Sequence, residues 1–395
     1  MNVSEFPRRF AGIAARASDA DLSGQLPAPN WPDVVDSGYL RVFHPVAVGG
    51  TAVDGVSQVA AMESLALACP STYWSATMST LLCGKLIHRY GELATHRPLL
   101  EALLSGRKLG AFAVVERTAG SDAGTYRTTV SKGRDGGLVI SGEKARITNA
   151  PTGDLAVVLA RLDERVDRDG HGWCFAFVDL GQPGVERYPM DHMGLRAMPW
   201  GGLRFDRAHV APHDVVPVPY AEFAEGMAWG WLFISVSSIA IAEAALRACV
   251  THARSHVSFG RPLGHMEGVQ AQLARLRTEI DAARLLAQRV AWHRAAGRSA
   301  RDEIAMLKAY ATELAVAATQ SALQIHGARA LQPGHPVERL YRDAPMNVIG
   351  GFASNRLREL IAEGMGTGHA VYRPFDWLSG TGLDEDLSTA AGAGR

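Results

Sequence analysis

Two stretches of this chain decide its fold: Val115-Glu-Arg-Thr-Ala-Gly-Ser-Asp-Ala-Gly124 and Gly142-Glu-Lys-Ala-Arg-Ile-Thr-Asn-Ala150. Both lie in a region where the sequence changes from helical spacing to short β-rich runs separated by Gly, Asp and Pro. Taken alone, the first stretch is a polar turn after a strand. Because the second follows about a strand pair later, the two together predict neighbouring strands that carry a common site.

Composition and charge narrow the class of protein. The 395 residues are 47% apolar and 20% charged, which is typical of a globular protein of two or three domains. Forty basic residues balance forty acidic ones, so neither a nucleic-acid partner nor an anionic membrane is expected. The four cysteines form no CxxC pair. This pattern argues against a zinc site and a disulfide framework and favours a reduced, cytoplasmic location without metal.

The spacing of apolar residues predicts three domains and a tail. Residues 1–109 are predicted to be helical, 110–218 to be a β-domain, 219–380 to be a helical bundle, and 381–395 to be disordered. We find no run of about 18 apolar residues and expect no membrane span. The predicted helical stripes and strands are Val56, Ala60, Ser64 and Leu67 in the first domain; Ala111–Val115, Tyr126–Val130, Leu138–Ser141, Leu155–Leu162, Trp173–Leu180 and Leu203–Phe205 in the second; and Leu273, Leu276, Ile280, Ala283, Ala287 and Val290 in the third.

The two stretches, with Ser258-Phe-Gly-Arg261, Gln324-Ile-His-Gly327 and Glu338-Arg-Leu-Tyr-Arg-Asp343, resemble the acyl-CoA dehydrogenase superfamily in the family's order. The resemblance implies an α+β multidomain fold: a helical N-terminal domain, a central β-barrel-like domain and a C-terminal four-helix bundle. It implies FAD as cofactor and a homodimer or homotetramer. It also implies an acyl-CoA or acyl-carrier-protein substrate, and an electron-transfer flavoprotein or a flavin reductase as redox partner.

The resemblance also implies two groups of cofactor contacts. The first group surrounds the flavin ring, where Thr148 matches a threonine at the N5 edge, and the second group grips the dinucleotide, in part from a neighbouring subunit. Gly327 fits a diphosphate contact at a helix terminus and equally a plain helix C-cap. The first group is Val115, Ser121, Arg146, Thr148, Ala353 and Asn355; the second is Arg254, His256, Ser258, Phe259, Gln324 and Gly327.

Several positions depart from the family pattern. Val115 replaces a flavin-contacting threonine, Arg146 replaces an aromatic residue that shields the ring, and His256 replaces an arginine. The charge of Arg146 either faces the flavin and holds an anionic group, or points to solvent or pairs with Glu143. The implied substrate contacts are Ser121, Arg146, Trp231, Gly350 and Gly351.

The family's catalytic glutamate is missing. Gly351 stands at its usual position, and Gly230 stands where some members place the base instead. The remaining candidates for a base are Glu225, Asp122 and His326. The two glycines Gly350 and Gly351 either leave room for a bulky substrate or serve a loop with unusual backbone angles.

Four functions are compatible with this site. The first is an FAD oxidoreductase that acts on an acyl thioester with a relocated base. The second is a flavin monooxygenase on the same fold, in which no α-proton need be removed. The third is redox-neutral elimination or cyclisation of a thioester, and the fourth is a binding protein without catalysis.

Overall fold

The computed structural model describes residues 2–51, 53–120, 123–167, 169–219, 223–298 and 300–367, without the side chains of Ala224 and Glu225. Helices come first along the chain, then a mixed sheet, then long helices. This is the predicted α+β order. The tail expected to be disordered lies outside the described residues.

The N-terminal helices pack around a core of aromatic residues. Phe6, Phe10 and Phe43 pack on Tyr39, with ring centroids 5.4–6.1 Å from its ring. The helices are α1 (Phe6–Arg9), α2 (Ala11–Ser23), α3 (Asn30–Ser37), α4 (Gly55–Ala68), α5 (Pro70–Thr77), α6 (Gly84–Tyr90) and α7 (Leu93–Leu104), with a π-helical segment at Met78–Cys83. The helix α4 was predicted, but its buried face was not. Val59, Met62 and Leu65 are buried, whereas Val56 is exposed.

The central domain is one eight-stranded mixed sheet with strand order β6-β7-β3-β2-β4-β5-β8, and β1 pairs with β4 in parallel. The strands are β1 (Gly110–Ala113), β2 (Thr129–Lys132), β3 (Leu138–Thr148), β4 (Leu155–Leu162), β5 (Gly172–Asp179), β6 (Val185–Pro189), β7 (Trp200–Val210) and β8 (Val215–Pro219). The sequence missed β6 and β8 because Pro189 and Pro217 interrupt short, half-exposed runs.

Strand β4 joins the sheet to the helices because both of its faces are buried. Ala156, Val158 and Ala160 belong to the core of the sheet domain. The alternate residues Leu155 and Val157 belong to the larger core shared with the helices. Alternation of side chains along a strand gives each set its own face, so β4 reads as a continuous apolar run.

Four long helices form the C-terminal domain: α8 (Phe223–Ser255), α9 (Glu267–Ala295), α10 (Arg301–His326) and α11 (Pro336–Ile349), followed by α12 (Ser354–Gly364). The stripe predicted on α9 is buried from Leu276 to Val290, while Leu273 is only partly buried. A two-stranded hairpin, β9 (Val257–Ser258) and β10 (Arg261–Pro262), follows α8.

The helix α8 is more apolar than the sequence analysis allowed. Residues Gly226–Ser255 reach a mean hydropathy of 1.6 over an 18-residue window and match a membrane span in length and composition. In the structure 78% of that window is buried inside the protein. We therefore interpret α8 as the central helix of the bundle, packed on α10, α4 and α5.

The Glu338–Asp343 segment joins three parts of the chain. The guanidinium of Arg342 pairs with Asp21 on α2 and with Glu338 on α11. Asp343 is buried and accepts a hydrogen bond from the backbone N–H of Leu195, in the loop between β6 and β7. These contacts give the segment the structural role that its charge pattern suggests.

A buried ion pair fixes the start of the site strands. Lys144 is fully buried, and its Nζ lies 2.7 Å from the carbonyl of Val114 and 3.2 Å from Glu116 Oε1. Glu116 also accepts hydrogen bonds from the backbone N–H groups of Arg127 and Thr128. Burial lowers the pKa of Lys144 to about 8 although Glu116 acts to raise it.

We expect Glu116→Ala to lower the free energy of unfolding by about 3–5 kcal/mol, because it leaves a buried lysine and two backbone donors without their acceptor. Glu186→Ala is the matched control, since Glu186 forms an exposed pair with Arg204. Urea unfolding measures both variants. Equal small losses would show that the buried pair does not stabilise the sheet.

Candidate active site

The predicted contacts of the first group lie on adjoining parts of β3 and the segment after β1. The backbone N–H of Ala145 donates to the carbonyl of Val115 at 3.0 Å, which places Val115 beside the strand that carries Arg146 and Thr148. Thr148 is buried, and its hydroxyl donates to Met198 Sδ at 3.5 Å. Sulfur is a weak acceptor, so this hydroxyl remains available to a better one. Ser121 lies outside the described residues.

Arg146 does not pair with Glu143. It is exposed in a β-bulge with a φ of 63°, and its guanidinium donates to the backbone carbonyls of Glu116 and Arg117 at 3.2 Å. Glu143 is instead held by Arg117 and Tyr188. Of the alternatives weighed for Arg146, pairing with Glu143 is therefore wrong, and its charge sits at the rim of the segment after β1.

Asn149 connects this strand to the loop of Gly350 and Gly351. Its buried side chain donates to the carbonyls of Ser75 and Gly110 and accepts from the Ser75 hydroxyl at 2.7 Å. The neighbour of Ser75, Trp74, lies against Gly350, where an added Cβ would be 3.5 Å from Trp74 Cη2. Thr148 and the glycine loop thus lie on either side of α5.

Apolar side chains of α8 pack against one side of the glycine loop, while Gly350, Gly351 and Phe352 remain partly exposed. A Cβ added at Gly351 would lie 2.8 Å from Ile234 Cδ1 and 3.2 Å from Trp231 Cδ1. Gly351 has a φ of 62° and Phe352 a φ of 76°. The alternative that the glycines open room for a bulky substrate is therefore not supported, because α8 fills that space. A left-handed backbone accounts for Gly351.

Lys308 on α10 holds the glycine loop through two hydrogen bonds. Its buried Nζ donates to the carbonyls of Val348 at 2.8 Å and Phe352 at 2.6 Å. Burial lowers the pKa of this lysine to about 7. Both charged and neutral amines carry enough protons for the two bonds, so Lys308 positions the turn between α11 and α12 at either protonation state.

Of the three candidates for a base, His326 is the one whose side chain the structure describes. Asp122 and the side chain of Glu225 lie outside what the structure describes. His326 ends α10, eighteen residues beyond Lys308, and at about 1.5 Å per residue lies about 27 Å from the glycine loop. His326 is therefore too distant to act at Gly351 in its own chain.

The buried acids of the described ranges are already engaged. Asp21 pairs with Arg342, Glu116 pairs with Lys144, and Asp343 accepts a hydrogen bond from the Leu195 N–H. Glu243 accepts from Arg247, Arg277 and Arg284; burial acts to raise its pKa, but these hydrogen bonds hold it below its usual value. None of these carboxylates is placed to receive a proton at residue 351.

The second group of predicted contacts clusters at the C-terminal ends of α8 and α10. Ser258 and Phe259 lie in the hairpin after α8, and Phe259 is 94% exposed with a φ of 52°. Gln324 and Gly327 lie at the end of α10. Gly327 is the C-cap of α10, and the dipole at a helix C-terminus repels an anion. The helix dipole therefore does not support a diphosphate contact at Gly327.

A well-formed cavity lies apart from these contacts. It has a volume of about 990 Å³ between the N-terminal helices and the sheet. Met198 and Ser75 line it, so it borders the surroundings of Thr148 and Asn149, yet it contains none of the predicted site residues.

Ala353 and Asn355, two predicted cofactor contacts, are exposed at the start of α12.

Comparison with known proteins identifies the family. Sequence models of the acyl-CoA dehydrogenase N-terminal, middle and C-terminal domains match residues 3–107, 111–208 and 223–366. The chain belongs to the acyl-CoA dehydrogenase family. A probable acyl-CoA dehydrogenase of Bacillus subtilis, YngJ, is 31% identical over 368 residues, covering 91% of this chain and 96% of that protein.

Solved structures show the same architecture. Butyryl-CoA dehydrogenase from Megasphaera elsdenii superposes with a TM-score of 0.86 at 25% identity, covering 92% of this chain and 98% of that one. FkbI, a protein for biosynthesis of the methoxymalonyl extender unit of a polyketide immunosuppressant, superposes with a TM-score of 0.82 at 26% identity, covering 91% and 99%. This acyl-CoA dehydrogenase family member therefore has the predicted three-domain fold.

Sequence reasoning missed three residues that shape the site. In the sequence, Lys308 looks like a polar residue that interrupts an apolar helix. Asn149 looks like the last residue of a motif, and Trp74 looks like an ordinary core residue. A buried lysine in the stripe of α10, between Ile304 and Leu314, was the one signal available.

We expect Lys308→Met to destabilise the fold by about 1–3 kcal/mol, because two buried carbonyls lose their donor. Amide hydrogen exchange at residues 350–356 should also become faster. Lys132→Met, at an exposed end of β2, is the control and should leave both measurements nearly unchanged. Unchanged exchange in the Lys308 variant would mean that the loop holds its own conformation.

Proposed function

We propose that this acyl-CoA dehydrogenase family member is an FAD-dependent oxidoreductase that acts on an acyl thioester, carried by coenzyme A or by an acyl-carrier protein, without a base at residue 351. The relatives named for acyl-CoA and butyryl-CoA substrates support the thioester. The enclosure of Gly351 by Trp231 and Ile234 supports the departure from the usual base.

The residues present fit a flavin at Thr148. Among the described residues its hydroxyl donates to the Met198 sulfur alone, and a flavin nitrogen or carbonyl is a stronger acceptor. When bound, FAD accepts a hydride from the substrate and passes the electrons to an external acceptor. A hydroxyl aimed at the place where negative charge develops stabilises that charge. Thr148 would supply this stabilisation, and Trp231 with Phe352 would exclude water.

The separation of the two groups of contacts supports an oligomer. Lys308 touches Phe352, whereas Gly327 lies at the far end of α10, so one chain holds the two groups about 27 Å apart. Phe259 is exposed in a backbone conformation that is costly for a non-glycine residue. We infer that the hairpin of one subunit completes the cofactor site of another, in a homodimer or homotetramer.

We expect Gly230→Glu to create or raise dehydrogenation of acyl-CoA. Gly230 lies one helical turn before Ile234, on the face of α8 that meets Gly351. Among the described atoms a Cβ there would meet Leu82 Cδ2 at 3.7 Å, an ordinary van der Waals contact, so the backbone accepts a side chain. Burial raises the pKa of a carboxyl and improves it as a base near neutral pH, and a positioned base contributes about 10²- to 10⁴-fold in rate.

Flavin bleaching by acyl-CoA thioesters of several chain lengths, with an artificial electron acceptor, measures this gain. Gly230→Gln is the control, because it fills the same space without a base. Gly351→Glu is a poorer test, since Ile234 and the left-handed backbone oppose it. If the Glu and Gln variants behave alike at every chain length, the pocket does not admit an acyl thioester and the proposal fails.

A monooxygenase is the second candidate, and one observation favours it. The side chains of Trp74, Trp231 and Phe352 lie at the glycine loop, and an apolar lining limits the access of water to a reactive flavin. We expect a monooxygenase, reduced anaerobically and mixed rapidly with oxygen, to show a transient absorbing species before reoxidation. Slow, featureless reoxidation would contradict this function and favour thioester oxidation, with an electron-transfer flavoprotein as acceptor.

A further inference from the structure

Four histidines from three segments meet where α8 and α10 end. The ring of His252 stacks on His256 with centroids 4.7 Å apart and on His326 with centroids 4.4 Å apart. His335, which precedes α11, approaches His326 edge-on at 5.4 Å. We refer to these four residues as the histidine cluster. His256 stands at the position where the family has an arginine.

The fold does not account for the whole cluster. His335 accepts a hydrogen bond from the Val337 N–H and so caps α11, and His326 Nδ1 lies 2.8 Å from the carbonyl of Ala322. His252 Nε2 is buried and has no hydrogen-bond partner among the described residues. A buried polar atom without a partner is costly, and a ligand that supplies the partner removes that cost.

The surroundings of the cluster are basic. The sequence contains no Asp or Glu between residues 244 and 266, or between 314 and 337. Arg254, Arg261 and Arg329 lie in these two segments, and the nearest acid along the chain, Glu338, pairs with Arg342. The C-termini of α8 and α10 and the N-terminus of α11, which His335 caps, meet here, so the helix dipoles oppose one another. The cationic side chains add positive charge that favours an anion.

The family resemblance implies that the FAD diphosphate of a neighbouring subunit lies at Arg254–Phe259 and Gly327. We propose that the histidine cluster takes up protons as this diphosphate binds, an inference that rests on the proposed function. Gly327 leaves the approach open, since a Cβ added there would meet none of the described atoms within 4 Å. FAD binding is therefore pH-dependent in this protein, whereas an arginine would make it pH-independent.

The protonation state of the free histidine cluster determines whether FAD affinity rises or falls with pH. Burial, followed by the charges of His326 and His256, lowers the pKa of His252, and burial followed by His326 lowers that of His335. Arg329 adds to the repulsion at His252, while Glu338 opposes the shift at His335. Both imidazoles are thus neutral near pH 7 without a ligand. A diphosphate raises their pKa values again, so binding takes up protons and affinity rises as the pH falls.

The test is a titration of the FAD-free protein with FAD, followed by flavin fluorescence, at pH values from about 6 to about 8.5. Each proton taken up tightens Kd by up to about tenfold per pH unit, until the histidines of the free protein also become protonated. Isothermal titration in two buffers of different ionisation enthalpy counts the protons directly. Binding that is equally tight at every pH, without proton uptake, overturns the inference. Failure to bind FAD at any pH overturns the proposed function itself.

Substitutions at one position separate charge from packing. His256→Arg should keep FAD affinity at high pH and flatten the pH dependence, because its charge is permanent. His256→Gln should weaken binding at low pH and reduce the proton uptake. His209 is an exposed residue of β7, and His209→Gln should change neither property. A pH dependence that persists unchanged in both His256 variants would overturn the assignment to the cluster.

Discussion

The buried side chain of Asn149 is the contact on which the site depends. Its amide bonds the carbonyls of Ser75 and Gly110, and its own backbone N–H donates to Pro199 at 2.7 Å. One residue thus fixes α5, the start of β1 and the approach to β7 relative to each other. Asn149 has a φ of 69°, a conformation that asparagine tolerates better than most residues. Thr148 on one side and Trp74 on the other take their positions from it.

A second constraint holds the opposite wall of the site. Lys308 donates to two carbonyls of the turn between α11 and α12, while Ile234 and Trp231 cover Gly351 from α8. A carboxylate at residue 351 would need both a different backbone and a shifted Ile234. The side chains packed around residue 351 therefore oppose a carboxylate at this position. This packing supports the proposal that the base, if the reaction needs one, lies elsewhere.

Sequence alone predicted the order of the domains, the strand β4 and the apolar stripe of α9. These features depend on local periodicity or on contiguous residues. It failed where long-range contacts decide. The residues predicted to form the buried stripe of α4 lie on its more exposed side. Small residues such as Ala61 are buried there as readily as large ones, so residue size does not identify the buried face. The partners of Arg146, Glu116 and Arg117, lie 30 and 29 residues before it in the chain. The side chains that pack on Gly351, Ile234 and Trp231, belong to a different helix, and neither set of contacts leaves a periodic signal.

The length of α10 explains why the site resists prediction from one chain. A helix of 26 residues places Lys308 in one half-site and Gly327 in another, and these cannot meet within a subunit. The two ends also differ in chemistry: the glycine loop packs against apolar side chains of α8, whereas the histidine cluster is basic and lies where α8 and α10 end and α11 begins. The proposed cofactor site across two subunits is consistent with this difference, with the flavin ring at the apolar end and the diphosphate at the basic end. On that proposal, substitutions at the first end change the reaction and substitutions at the second change the retention of the cofactor.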